Sequence, residues 1–176
     1  MKKNTYILKE NCTGKEIPEF HTSVDITKTD TDLVFEFNAK NTQFYSHDEG
    51  YNTEVFCGDA CEAFICADGS RVNYFELEVA PNGSVFCAKI YNPDGNFQVS
   101  LIEKNPVTSY VERKGNDLFV RFSIPLDYIG YKEEVGILLN AFRIETEGGF
   151  TDKNLLAVSP TMCDSFHQPA SFIELK

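Results

Sequence analysis

Apolar and polar residues alternate in short runs through most of this chain, and the runs are separated by turn-forming residues. Side chains of a strand point alternately to its two faces, so a period of two marks a strand with at least one buried face. Leu33-Val34-Phe35-Glu36-Phe37 gathers Leu33, Phe35 and Phe37 on one face. Tyr74-Phe75-Glu76-Leu77-Glu78-Val79 turns Phe75, Leu77 and Val79 inward and Tyr74, Glu76 and Glu78 the other way. Similar runs occupy 61–66, 84–90, 97–102, 107–113, 117–124, 135–144, 155–159 and 171–175. Between them lie Ala67-Asp68-Gly69-Ser70, Ala80-Pro81-Asn82-Gly83, Asn92-Pro93-Asp94-Gly95 and Lys114-Gly115-Asn116-Asp117, which carry the Pro, Gly and Asn that tight turns need. Pro125-Leu126-Asp127-Tyr128-Ile129-Gly130 predicts one helical turn stopped by Gly130, and no segment sustains a longer helical period. About ten short strands with minimal helix predict an all-β fold, an antiparallel two-sheet β-sandwich.

The 176 residues suit one domain, spanning 1–176, and no apolar stretch reaches the roughly 18–20 residues that cross a bilayer. The net charge of −11 is spread along the chain and would repel phosphate backbones and anionic lipid. Nucleic acid and membrane are therefore not expected as partners, which leaves neutral ligands, cations or a basic protein surface. The opening MKKNTYILKENCTG breaks its apolar residues with polar ones before a secretory core can form, so a cytoplasmic location is expected. The six cysteines, Cys12, Cys57, Cys61, Cys66, Cys87 and Cys163, are expected to be reduced thiols.

Three stretches in order carry a family resemblance. The first joins Gly58-Asp59-Ala60-Cys61-Glu62-Ala63-Phe64-Ile65 to 73–83, and the second is Phe119-Val120-Arg121-Phe122-Ser123-Ile124-Pro125-Leu126-Asp127-Tyr128-Ile129-Gly130. The third is the C-terminal part with Leu139-Asn140-Ala141-Phe142-Arg143-Ile144-Glu145, Leu156-Ala157-Val158-Ser159-Pro160 and Phe166-His167-Gln168-Pro169-Ala170-Ser171-Phe172. Together, over roughly 30–176, they resemble the family 9 carbohydrate-binding modules and their stand-alone relatives. The resemblance implies an immunoglobulin-like or jelly-roll-like sandwich of the dopamine-monooxygenase N-terminal type, holding sugar in a surface cleft between aromatic rings and polar side chains. By position it implies Phe56 as a stacking ring and Glu62 as a partner of sugar hydroxyls. An aromatic face suits the C–H side of a pyranose, and a carboxylate accepts two hydroxyl hydrogen bonds. The chain departs from the family in two ways: it has no tryptophan, with Val158 where a second one is common, and Glu76 stands where some sugar-binding members have arginine.

The expected function is that of a non-catalytic carbohydrate-binding domain whose partner is a mono- or oligosaccharide. Phe56 is the platform, Glu62 and Arg143 are hydroxyl partners, and Tyr74, Glu76 and Val158 shape the cleft. Asn140 and Arg143 fall on opposite strand faces, so a regular strand brings only one to a given cleft. Plain structural roles stand beside each assignment: a packing ring for Phe56, a salt bridge to Glu145 for Arg143, backbone partners at a sheet end for Asn140. One alternative is a diverged sandwich that binds a protein partner or another small molecule. Another is a glycoside-active enzyme using Glu62 or the same-face pair Glu76 and Glu78 as acid and base. No cofactor is expected apart from calcium, for which Asp30, Asp32, Asp48 and Glu49 are loose candidates. The spacing of Cys57, Cys61 and Cys66 offers thiolates for zinc, and the resemblance implies haem between Met162 and His167 as a further option.

Overall fold

The computed structural model describes residues 2–147, 149 and 153–175. Among these, thirteen strands follow in chain order: β1 (Lys2–Ile7), β2 (Lys9–Glu10), β3 (Thr22–Lys28), β4 (Asp32–Ala39), β5 (Ala60–Cys66), β6 (Asn73–Val79), β7 (Val85–Tyr91), β8 (Gln98–Leu101), β9 (Thr108–Lys114), β10 (Asp117–Pro125), β11 (Leu138–Glu145), β12 (Asn154–Ala157) and β13 (Ile173–Glu174). One sheet has five strands in the order β1-β3-β4-β10-β9. The other runs β2-β12-β11-β5-β6-β7-β8, with β13 also paired to β11. All pairings between these strands are antiparallel.

The two sheets pack through the residues that the alternation assigns to the inside. Val24 and Ile26 of β3, Leu33, Phe35 and Phe37 of β4, and Val120, Phe122 and Ile124 of β10 meet Cys61, Ala63 and Ile65 of β5, Leu77 and Val79 of β6, and Leu139 and Ala141 of β11. Phe122 stacks on Phe35 and Phe37 at centroid distances of 5.1 and 5.8 Å. These offset pairs add to the burial of large apolar area that dominates the stability of such a core.

Thirteen strands replace the expected ten or so. The three additional strands are β1, β2 and β3: β3 alternates as clearly as the others, whereas β1 is mostly polar and β2 spans two residues, too short for any periodicity to register. The strand expected from Val135 begins at Leu138, because Gly136 takes the left-handed region at φ +78° and breaks the run. After β10, Ile129 N–H bonds Pro125 O, Gly130 N–H bonds Asp127 O and Tyr131 N–H bonds Leu126 O, with Gly130 at φ +69°. That is the expected single turn, closed in the manner of a helix C-terminus by the residue that tolerates positive φ.

The larger sheet is covered on both faces, and every residue of β5 is buried. A second apolar cluster lies on its outer side: Phe64, Tyr74, Phe86, Phe142 and Ile144 from the sheet, and Val55, Phe166 and Phe172 from the segments that cross over it. Phe166 stacks on Phe142 at 4.1 Å, while Phe172 meets Tyr74 edge-on at 5.2 Å. The cover is incomplete, and the opening it leaves is the site described next.

Candidate functional site

A cavity of about 520 Å³ opens on the outer face of the larger sheet. Its size lies within the range of small-ligand pockets. Its floor follows from strand register. Ala157, Phe142, Glu62, Glu78 and Phe86 face one another in a row across β12, β11, β5, β6 and β7. The next row is Asn140, Phe64, Glu76, Ala88 and Leu101. Three glutamates thus sit among aromatic and aliphatic neighbours in the middle of a sheet. Over them rise Phe56 from a short 3-10 turn (Val55–Cys57), Phe97, Val99 and Leu101 at the β8 edge, Lys153 and Leu155, and the 164–167 segment. Phe56 and Phe97 keep 38% and 40% of their surface open, so both rings are available to a guest.

Glu62, Glu76 and Glu78 are exposed by only 2%, 6% and 0%, and each brings a carboxyl oxygen within 4.8 Å of the other two. Burial lifts Glu76 to about 7, although hydrogen bonds from Glu78 and Glu62 pull in the opposite direction. Burial, reinforced by the neighbouring carboxylates, holds Glu62 and Glu78 well above the ordinary range. Water-starved like charges placed face to face are unfavourable, and protonation relieves them. Glu62 and Glu78 therefore hold their protons more tightly than ordinary carboxyls and share them with Glu76 through hydrogen bonds. No donor from the described residues reaches Glu62 Oε2 or either oxygen of Glu78.

His167 forms the wall beside this floor. Its ring stacks on Phe97 at 3.7 Å and lies 4.9 Å from Phe64. Burial lowers its pKa to about 4, so the imidazole is neutral. Tyr74 Oη meets His167 Nδ1 at 2.9 Å and receives a bond from Asn92 Nδ2 at 3.2 Å. With the phenolic hydrogen directed to Nδ1, the ring's own hydrogen sits on Nε2, 3.8 Å from Glu76 Oε1. That gap is too long for a direct bond, and the Nε2–H group faces the cavity side.

Three of the expected site residues, Phe56, Glu62 and Glu76, line this one cavity. Tyr74 is buried behind His167 and orients it. Arg143 is not brought there: it projects to the inter-sheet side, where Nη2 donates to Glu145 Oε2 at 2.6 Å and Nη1 donates to Phe20 O and Thr22 Oγ1 at 3.1 and 2.9 Å. Asn140 is buried and clasps the chain near the C-terminus, donating to Ser159 O at 2.7 Å and accepting from Ser159 N–H at 3.0 Å. Val158 packs against the inter-sheet core. The pattern missed Phe86, Phe97, Phe166 and His167 as wall residues. Phe97, Val99 and Leu101 carried a readable signal, an alternating run whose apolar residues stay open.

Two groups of metal-ligating side chains lie close together among the described residues, the glutamate trio and His47, Glu54 and Cys57. Asp30, Asp32, Asp48 and Glu49, the calcium candidates, fall in neither group. Cys61 faces the inter-sheet core and Cys66 the outer cluster, which separates the zinc candidates, and all six cysteines are unpaired. Met162 is 63% exposed and absent from the cavity wall that His167 helps to build.

The architecture is thus a two-sheet sandwich with an aromatic-walled cleft on its larger sheet. Neither a family model nor a curated protein matches the chain in sequence. Solved structures match it in fold. A candidate carbohydrate-binding protein from Bacteroides uniformis is similar at TM-score 0.75 and 16% identity, over 96% of this chain and 84% of that one. A family 9 carbohydrate-binding module from Caldicellulosiruptor kristjanssonii, in complex with cellotriose, is similar at TM-score 0.69 and 11% identity, over 98% of this chain and 81% of that one. The same kind of module in complex with glucose gives TM-score 0.66 and 10% identity, over 97% and 83%. The fold of this chain is that of the family 9 carbohydrate-binding modules.

Proposed function

We propose that this protein is a non-catalytic carbohydrate-binding domain that takes a mono- or oligosaccharide in the cavity over the larger sheet. The observation that carries the reading is the juxtaposition of two open phenylalanine rings, Phe56 and Phe97, with the buried carboxyls of Glu62 and Glu76 in a single cleft. Rings offer faces to the apolar side of a sugar, and carboxyls offer acceptors and donors to its hydroxyls. The family 9 modules that share the fold are complexed with glucose and with cellotriose, which agrees with this reading.

The carboxyl geometry favours binding over hydrolysis. Glycosidases hold two carboxyls on opposite sides of the scissile bond, about 5 Å apart or more. Here Glu62 and Glu76 share a hydrogen bond with each other, and Glu78 lies behind them without lining the cavity. Nothing separates an acid from a nucleophile across a substrate.

Calorimetry with glucose, cellobiose and cellotriose tests the proposal. Binding in the micromolar to millimolar range is expected. Phe97→Ala should weaken it about tenfold, since removing a stacked ring costs about 1–1.5 kcal/mol and 1.4 kcal/mol is a factor of ten. A folded protein that takes up no mono- or oligosaccharide at millimolar concentration would falsify the reading.

A further inference from the structure

The floor of the cavity is far more acidic than recognition of a neutral guest requires. Glu62, Glu76 and Glu78 present carboxyl oxygens within 4.8 Å of one another. Glu62 lines the space, and its Oε2, buried from solvent, has no donor from the described residues. A buried acceptor left without a donor costs free energy that a ligand hydrogen would recover. The walls decide what kind of donor fits. Phe56, Phe86 and Phe97 are aromatic and Val99, Leu101 and Ile144 aliphatic, with few oxygens other than those of the floor. A hydrated metal ion seeks a shell of oxygens, which these walls do not offer. An ammonium group on an organic frame suits them, since its N–H donors can meet the two carboxyls that line the space, Glu62 and Glu76, and its neighbouring C–H groups and charge are both attracted to aromatic faces.

Resting on the carbohydrate-binding reading, we propose that Glu62 and Glu76, backed by Glu78, form an ammonium subsite, and that the preferred ligand is an amino sugar with an unsubstituted amine. The guest's N–H groups meet Glu76 and Glu62, its ring lies against Phe97 or Phe56, and His167 Nε2–H remains for a hydroxyl. Among the described residues, the other ionisable groups around the floor are Lys153 and Asp164 at the rim, His167 on the wall, Tyr74 beside Glu76 and Cys57 near Glu78. Neutral His167 adds no positive charge beside the floor, and Lys153 Nζ is engaged with Phe56 O at 2.8 Å. Because burial raises Glu76 to about 7, a cation arriving at pH 7 displaces part of a proton from it. The bond formed is N–H···O, and the carboxyl proton passes to buffer.

The test titrates glucosamine, N-acetylglucosamine and glucose into the intact protein at pH 7, in two buffers of different ionisation enthalpy. Glucosamine is expected to bind at least tenfold tighter than glucose and N-acetylglucosamine, with proton release seen as a buffer-dependent heat. Glu76→Gln, and separately Glu62→Gln, should bring the ratio of glucosamine to glucose affinity close to one, with an unchanged circular dichroism spectrum showing that each variant folds. Glucose and cellobiose binding without preference for the amine overturns this inference and leaves the carbohydrate reading standing. Failure of all these sugars overturns both. Tight binding of calcium or magnesium alone, competing with glucosamine, overturns the ammonium subsite in favour of a metal site.

Discussion

Glu78 shows how far the surroundings of one side chain can set the behaviour of a site. It stands opposite Glu62 on the neighbouring strand, fully buried, and none of its oxygens meets a donor from the described residues. A carboxyl whose pKa is raised in the folded state keeps its proton where the unfolded chain has lost it, so its contribution to stability falls as pH rises between the two values. For Glu76 that window runs from the ordinary 4.5 to about 7. His167 acts in the opposite sense, because its lowered pKa makes stability rise with pH from about 4 to the ordinary 6.5. The two oppose each other up to about pH 6.5 and only the carboxyls act above it, so net stability is expected to decline on the alkaline side. Glu78→Gln removes one of the groups responsible. It should unfold at higher urea than the parent at pH 8, by roughly 1–3 kcal/mol, and differ little at pH 5. Equal midpoints at both pH values would show that the trio is better solvated than its burial indicates.

Among the elements, the short turn Val55–Cys57 owes its place to the two residues that follow it. A Cβ on Gly58 would lie 2.8 Å from Tyr45 O and 2.9 Å from His47 N, both backbone atoms that cannot swing aside. Asp59, 2% exposed, accepts from Tyr45 N–H at 2.8 Å and from Thr146 N–H and Oγ1 at 2.8 and 2.7 Å. The pair fastens the 42–47 loop to the start of β5 and so fixes where Phe56 stands. Asp59→Ala leaves several buried donors unsatisfied and is expected to cost about 3 kcal/mol or more in chemical denaturation. Gly58→Ala should lower thermal stability and weaken the proposed sugar binding together, since the backbone shift that relieves the clash moves the Phe56 ring.

The same elements show what the pattern of residues reveals and where it stops. Period-two alternation in β4 and β6 assigned inner and outer faces correctly, and parity alone separated Asn140 from Arg143. Alternation cannot say which face of a doubly covered strand meets the other sheet, and β11 buries both. Arg143 was therefore expected in the cleft although its face is the inner one. His167 joined the wall unannounced because its position depends on a long crossing segment without periodicity.

On the scale of the whole molecule, Arg143 joins the two layers. Its guanidinium leaves the larger sheet and bonds Phe20 O and Thr22 Oγ1 at the entrance to β3 of the smaller one, while Glu145 on its own strand balances the charge. Breaking a buried pair strands a charge in a low dielectric, at a cost of about 3–5 kcal/mol. Arg143→Ala is thus expected to lower the thermal midpoint by about 6–20 °C, and Arg143→Lys to restore only part of the loss. The incomplete cover over the larger sheet has a bearing of another kind. Its outer wall is contributed by the crossing segment that carries Phe166 and His167, pinned at Asn140 and near the end of the chain. The pocket therefore exists only once the segment that carries Phe166 and His167 has docked. A guest lodged beneath that segment acts as a latch, slowing amide hydrogen exchange there more than in the inter-sheet core.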